Sequence, residues 1–118
     1  MGIDFRWYVP VRSKASWGYS GFQTFRIELA KLVGINLMEM VGFGGDKPWP
    51  KPRPDPIHIF LDHSDCDGQL TAEECANIGP RLTLLALDLS NGYDRNMAYH
   101  LGQEMMECGR EGRALEFC

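Results

Sequence analysis

The sequence predicts a small α+β domain, in which about three helices pack against a short sheet built from the two ends of the chain. Three observations predict this class. Apolar residues recur at helical spacing in three segments, both ends alternate apolar and polar residues, and 44% of the 118 residues are hydrophobic. A chain of this length buries roughly two thirds of its unfolded surface, which suffices for one core. We therefore expect residues 1–118 to form a single domain.

The N-terminal part is predicted to hold one strand and one helix. Residues 3–9 alternate as a strand does, and Pro10 ends them. Residues 13–21 are interpreted as a loop, with Ser20 as a candidate N-cap. The first helix is expected over 21–33, where one apolar stripe contains Phe22, Phe25, Leu29, Leu32 and Val33.

Proline dominates the middle of the chain. Five of the seven prolines occupy every second position of 48–56, a pattern that excludes a helix or a central strand. It predicts a stiff, extended strap inside the domain. The segment 57–61 is short and favours β structure, and a polar loop follows over 62–71.

The last part adds two helices and a closing strand. Apolar residues at three- and four-residue spacing predict a second helix that reaches residue 89, with Pro80 inside it as the point of a kink or break. A third helix is expected over 94–108. The final five residues alternate enough to form a strand that pairs with residues 3–9.

Charge is unevenly distributed along the chain. The formal net charge is −4, which argues against nucleic acid as a partner. Residues 1–56 carry eight basic and five acidic side chains, whereas 57–118 carry four and eleven. The two halves either face each other or water, or the basic half meets an acidic partner. No apolar run has transmembrane length and the start lacks a signal-peptide core, so we expect a cytoplasmic protein without membrane contact.

Residues 63–74 form the sharpest candidate site. A 12-residue calcium loop takes its oxygen ligands from positions 1, 3, 5, 7, 9 and 12. The residues at those positions are His63, Asp65, Asp67, Gln69 through its carbonyl, Thr71 and Glu74. Gly68 falls where the loop turns sharply, and Leu70 falls at the apolar position. The segment therefore resembles an EF-hand loop.

Three interpretations of this loop remain open. Thr71 and Glu74 also match a helix capping box, so a capped turn without a cation explains most of the pattern. Calcium or a similar hard ion is the second alternative, although His63 stands where Asp is expected and a neutral imidazole is a poor ligand for it. Zinc is the third and least favoured alternative. It would use His63, Cys66 and Cys75, joined by His58 or Cys108, at a spacing that matches no standard zinc pattern.

The same loop carries a resemblance that covers most of the chain. The pattern HSDCDG-x-L-x4-C, the segment Trp17–Arg26, the GFGG turn at 42–45 and the last helix with its strand-like tail are similar to a group of small proteins from actinobacteria and their phages. The resemblance implies one folding unit and a phage or accessory-gene origin. It implies no catalytic residue.

A second candidate site lies near the N-terminus, where basic and aromatic residues are interleaved: Arg6, Arg12, Trp17, Tyr19 and Arg26. Such a set can contact a partner or stack on a nucleotide base, unless its aromatic members belong to the core. The leading hypothesis is a non-enzymatic binding or interaction protein with a protein partner. The alternative is a small nucleotide-binding or nucleotide-processing protein, and a third possibility is a structural component of an assembly.

Overall fold

The computed structural model describes residues 2–8, 11–50, 55–63 and 68–117, which form the α+β fold that the sequence predicts. In chain order the elements are β1 (Gly2–Tyr8), β2 (Val11–Gly18), α1 (Tyr19–Leu32), a 3-10 turn (Leu37–Glu39), α2 (Ile57–Leu61), β3 (Gln69–Leu70), α3 (Ala72–Ala86), α4 (Gly92–Glu111) and β4 (Leu115–Phe117). None of the helices within these described ranges is both long and apolar enough to cross a membrane.

The four strands form one antiparallel sheet in the order β2-β1-β4-β3. The predicted pairing of the two ends is confirmed, because Phe5 of β1 lies opposite Phe117 of β4. On its other edge β4 pairs with β3, where Leu115 lies opposite Leu70. The last strand therefore joins the N-terminal hairpin to the short strand that leads into α3.

The loop expected at 13–21 is wrong, since most of this segment is the strand β2. Ala15 and Trp17 are both buried and lie two residues apart, as side chains on one face of a strand do. The helix that follows begins at Tyr19 behind Gly18, so Ser20 is not its N-cap. Polar and small residues in the segment hid the two-residue period from the sequence analysis.

The β preference expected at 57–61 is overturned, because these residues form the helix α2, one of four helices in the described residues. Ile57, Phe60 and Leu61 are fully buried, and their i, i+3, i+4 spacing fits one face of a helix. The Asp55 carboxylate accepts a hydrogen bond from the Ile57 amide (3.0 Å) and so supports the start of the helix. Packing thus overrides the β propensity of the isoleucines.

The two ends of the proline strap are fixed to the body of the protein. Trp49 is buried and its indole Nε1 donates a hydrogen bond to the Val41 carbonyl at 3.1 Å. At the other end, Asp55 pairs with Arg81 of α3 through Nη2 at 2.9 Å and Nε at 3.0 Å. The intervening residues 51–54 lie outside the described part of the chain, so the predicted extended conformation stays a prediction there.

Helices α3 and α4 form an antiparallel pair that meets through small residues. A Cβ added to Gly79 would lie 2.8 Å from the Gly102 carbonyl oxygen, and one added to Gly109 would lie 2.8 Å from the Ala76 Cβ. Of the kink or break expected at Pro80, the break does not occur, since α3 runs through it. Pro80 is exposed, so its ring projects away from the helix contact.

An aromatic cluster fills the space between the sheet, α1 and α2. Its members are Phe5, Trp17, Phe22, Phe25, Phe60 and Phe117, all of them buried. The rings of Trp17 and Phe25 are stacked with their centroids 4.5 Å apart. Aromatic contacts of this kind add about 0.5–1.5 kcal/mol per pair to the burial of apolar area.

Candidate functional site

The start of the 63–74 loop is closed by a hydrogen bond from a side chain to the backbone. The His63 ring Nε2 lies 3.1 Å from the Gln69 carbonyl oxygen. Because a carbonyl only accepts hydrogen bonds, Nε2 carries the proton. The same ring stacks on Phe117, with the centroids 4.0 Å apart and the planes at 19°. Positions 1 and 7 of the predicted calcium loop are therefore brought together, and they bond to each other.

The Arg26 side chain binds the backbone where α2 ends and the 63–74 loop begins. Its Nη1 donates hydrogen bonds to the carbonyls of His63 (2.7 Å) and Leu61 (3.2 Å), at the C-terminal end of α2. The side chain is only 3% exposed, and its guanidinium lies over the rings of Phe22 and Phe43 at 4.8 and 5.0 Å. A cation near the last carbonyls of a helix is favourable, so Arg26 stabilises the exit from α2.

The back of the loop is the capping box that the sequence predicts. The Thr71 hydroxyl accepts a hydrogen bond from the Glu74 amide (3.1 Å), and the Glu74 carboxylate accepts one from the Thr71 amide (2.8 Å). Gly68 has φ +87°, a conformation that favours glycine, and Leu70 is fully buried. Both match the positions at which a calcium loop turns and is pinned to the core.

The remaining predicted ligands lie outside the described residues. Asp65 and Asp67 fall in 64–67, as does Cys66 of the zinc alternative. Across the part of the chain that the structure describes, no three His, Cys, Asp or Glu side chains are grouped so as to hold a metal ion. The calcium and zinc predictions therefore stay predictions.

The two described cysteines face each other between α3 and α4. Cys75 and Cys108 are fully buried and are not in a disulfide, and the Cys75 thiol donates a hydrogen bond to the Leu70 carbonyl at 3.9 Å. Interaction with the Cys108 thiol, together with burial, raises the pKa of the Cys75 thiol far above its usual range. Cys75 is therefore a protonated core side chain.

The second predicted site is divided between core and surface. Trp17 is 4% exposed and donates a hydrogen bond from Nε1 to the Asp94 carboxylate at 2.9 Å. Together with the buried Arg26, it belongs to the interior and offers no surface to a partner. Tyr19 is half exposed. Arg6 and Arg12 are register partners of the β1–β2 hairpin, and their side chains lie outside the described part of the structure.

An exposed apolar surface, which sequence reasoning missed, covers the side of α3 and α4 that faces away from the core. We call it the outer face and define it by the exposed residues Ala76, Pro80, Leu84, Leu87 and Tyr99. Leu84 and Leu87 are 62% and 67% exposed and Tyr99 is 42% exposed. Leu87 and Tyr99 line one groove of about 510 Å³, together with Gly92, Arg95 and Asn96.

The sequence held a signal for this surface. The core stripe of α3 contains Cys75, Ile78, Leu82 and Leu85, and the helical period leaves Leu84 and Leu87 off that stripe. Two leucines that lie outside the buried stripe of an amphipathic helix indicate an apolar surface that stays exposed in the folded chain.

Comparison of the chain with protein-family models, with curated proteins and with solved structures finds no match.

Proposed function

We propose that this protein is a non-enzymatic interaction protein of the cytoplasm, which works by protein–protein contact through the outer face. The observation that carries the proposal is the exposure of Leu84 and Leu87, three residues apart along α3 and its C-cap, with Tyr99 of α4 beside Leu87 in one groove. Contiguous exposed apolar side chains mark interaction sites, because leaving them in water is unfavourable. The buried thiols of Cys75 and Cys108, which form no disulfide, fit a reducing compartment. A phage or accessory-gene origin fits a protein that acts by binding another protein.

A site-specific photo-crosslinker tests this proposal. Benzoylphenylalanine replaces Leu84 in one variant and Asp46, an exposed residue of the turn before the strap, in a matched control. Both variants are illuminated in lysate of the source cell. We expect a discrete protein adduct from position 84 and none from position 46. Equal labelling at the two positions, or no adduct at position 84, would contradict the proposal.

A second candidate function, binding of calcium by residues 63–74, is favoured by the backbone of the loop. The positive φ of Gly68 and the burial of Leu70 agree with the turn and the anchor of a calcium loop. The Gln69 carbonyl also faces the side chain at position 1, as a pair of ligands must, although His63 itself bonds that carbonyl.

Calorimetric titration with calcium tests this candidate. We expect the wild type to bind weakly and the Asp65→Ala/Asp67→Ala variant not to bind. His63→Asp should bind more tightly than wild type, because it frees the Gln69 carbonyl and adds a carboxylate at position 1. His63→Asn, which frees the carbonyl without adding charge, is the matched control. Absence of binding by both wild type and His63→Asp up to millimolar calcium would leave the loop a capped turn.

A further inference from the structure

The outer face runs along one arc of α3, from its first turn to its end. At about 100° per residue, Glu73, Ala76, Pro80, Leu84 and Leu87 fall within roughly 80° of one another. The distance from Glu73 to Leu87 along the helix is about 21 Å, at 1.5 Å per residue. The close contact of α3 with α4 at Gly79 and Gly102 keeps Tyr99 beside this arc. The result is a narrow apolar surface with a charged residue at each end.

The two ends of this surface carry opposite charge. Glu73 is exposed at the N-terminal end of α3 and lines a depression of about 620 Å³ together with Thr71 and Asn77. Arg95 lies at the opposite end, in the groove beside Leu87. When a second copy lies antiparallel on this surface, the acidic end of each copy faces the basic end of the other, and the apolar middles face each other. The surface is therefore complementary to itself.

Arg95 is placed to receive a carboxylate from outside the chain. Its Nη1 donates a hydrogen bond to the Leu89 carbonyl at 3.1 Å, which fixes the guanidinium at the rim of the groove. The other arginines described in 57–118 are paired with carboxylates of their own chain: Arg81 with Asp55, Arg110 with Glu107, and Arg113 with Glu111. Within the described residues, Arg95 is the member of this set without a carboxylate partner.

We propose that a second copy of this chain docks on the outer face, antiparallel and about a twofold axis near Pro80. In that arrangement Glu73 of each copy enters the groove of the other beside Arg95, and Ala76 packs opposite Leu84. A twofold interface requires that one patch serve both subunits. The opposite charges of Glu73 on α3 and Arg95 on α4, at the two ends of the outer face, meet this requirement. The proposal rests on the proposed function, because it names the partner of the same surface.

The size of the surface sets the strength of this dimer. A face about 21 Å long and two helices wide covers roughly 400 Å² on each copy, about half of what a standard stable interface buries. We therefore expect a weak dimer, with a dissociation constant in the micromolar range or above, which dilution reverses.

Sedimentation equilibrium of the purified full chain, between about 10 μM and 1 mM, tests the proposal with two charge reversals. Glu73→Arg and Arg95→Glu each place like charges opposite one another at both ends of the interface. Each should raise the dissociation constant about tenfold or more. An equimolar mixture of the two variants restores both pairs, so it should form a dimer about as strong as that of the wild type. Asp46→Arg, a reversal in the turn before the strap, is the matched control and should leave the constant unchanged.

Each outcome decides the proposal. Circular dichroism first confirms that the variants are folded, as expected for exposed side chains. Recovery of the dimer on mixing supports the pairing of Glu73 with Arg95. A wild type that stays monomeric at 1 mM, a dimer insensitive to either reversal, or a mixture that stays monomeric would overturn it. If the crosslinker at position 84 then captures a different protein, the proposed function stands without the dimer; if it captures nothing, both fail.

Discussion

Trp17 and Asp94 form a buried contact between the N-terminal hairpin and the start of α4, far apart in the sequence. The indole donates to the carboxylate at 2.9 Å, and Asp94 is 7% exposed. Burial raises the pKa of the Asp94 carboxyl above its usual 3.8, although the Trp17 hydrogen bond acts in the opposite direction. The hydrogen bond between Trp17 and Asp94 therefore stabilises the folded state, whereas burial of the Asp94 negative charge destabilises it.

Two substitutions at position 94 separate the hydrogen bond from the charge. Asp94→Ala leaves the buried indole N–H without an acceptor, and we expect a loss of about 1–3 kcal/mol in the free energy of unfolding. Asp94→Asn keeps an oxygen acceptor and removes the charge, so its loss should be clearly smaller. Urea denaturation at pH 7 measures both. Equal losses from the two variants would show that the hydrogen bond contributes little.

Asp94 and Asp55 should respond to pH in opposite directions. Because the pKa of Asp94 is raised, the folded state holds its proton more tightly, and the stability of the wild type relative to Asp94→Asn should fall as pH rises from 3.8 through the folded pKa. At Asp55, burial raises the pKa, but the Arg81 hydrogen bond and charge and the Ile57 amide outweigh it and leave the pKa lowered. Its contribution is present above 3.8 and is lost as pH falls through the folded pKa.

Urea titrations between pH 2.5 and 7 measure this pair of responses, with Asp55→Asn as the second variant. The difference between wild type and variant should have opposite slopes for the two positions. Slopes of the same sign would contradict the opposite pKa shifts of Asp94 and Asp55.

Elements with a full helical stripe were predicted well from the sequence, whereas β2 and α2 were not. The helices α1, α3 and α4 each bury a stripe at three- and four-residue spacing, and β4 pairs with β1 as expected. The segment β2 was missed because small and polar residues, Ser13 and Ala15 among them, interrupt the apolar alternation that marks a strand. In α2, a run of five residues is too short to distinguish the 3.6-residue period of a helix from the two-residue period of a strand. The helix forms because it buries Ile57, Phe60 and Leu61 on one face.

The same distinction holds for the candidate site. The capping box of Thr71 and Glu74 is a local pattern, and the sequence predicted it. The bond of His63 to the Gln69 carbonyl and the support from Arg26 depend on contacts between distant segments, which no local pattern contains. Burial of Trp17 and Arg26 likewise follows from the packing of the hairpin on α1 and α2.

The glycine contact between α3 and α4 gives a prediction at the scale of the element. Gly79→Ala should lower the free energy of unfolding by about 1–3 kcal/mol, because the new Cβ would lie 2.8 Å from the Gly102 carbonyl and the helices must move apart. This cost exceeds the gain of about 1 kcal/mol that alanine brings to a helix. Gly92→Ala is the matched control, since its Cβ would come no closer than 3.8 Å to the Arg95 guanidinium. A stabilised Gly79→Ala variant would show that the helix pair is loosely packed.

At the scale of the whole molecule, the sheet decides whether the chain behaves as one unit. The helix pair carries the outer face, whereas the aromatic cluster lies under the hairpin and α1. Strand β4 joins the hairpin to the loop before α3, because Phe117 contacts Phe5 of the hairpin (centroids 4.9 Å) and His63 of the loop. The Trp17–Asp94 hydrogen bond links the hairpin directly to α4. The prediction of a single domain therefore rests on both links, the three-residue strand β4 and the Trp17–Asp94 contact.

Phe117→Ala tests that dependence. Removal of a buried phenylalanine should cost about 3–5 kcal/mol of the free energy of unfolding, because the ring contacts residues on both sides of the strand. In the wild type, tryptophan fluorescence follows the hairpin and the strap, and far-ultraviolet circular dichroism follows mainly the helices. If the chain is one cooperative unit, the two signals will share one urea midpoint in the wild type and in the variant. A variant that loses its fluorescence transition first, while the helical signal keeps the wild-type midpoint, would mean that α3 and α4 fold as a unit of their own.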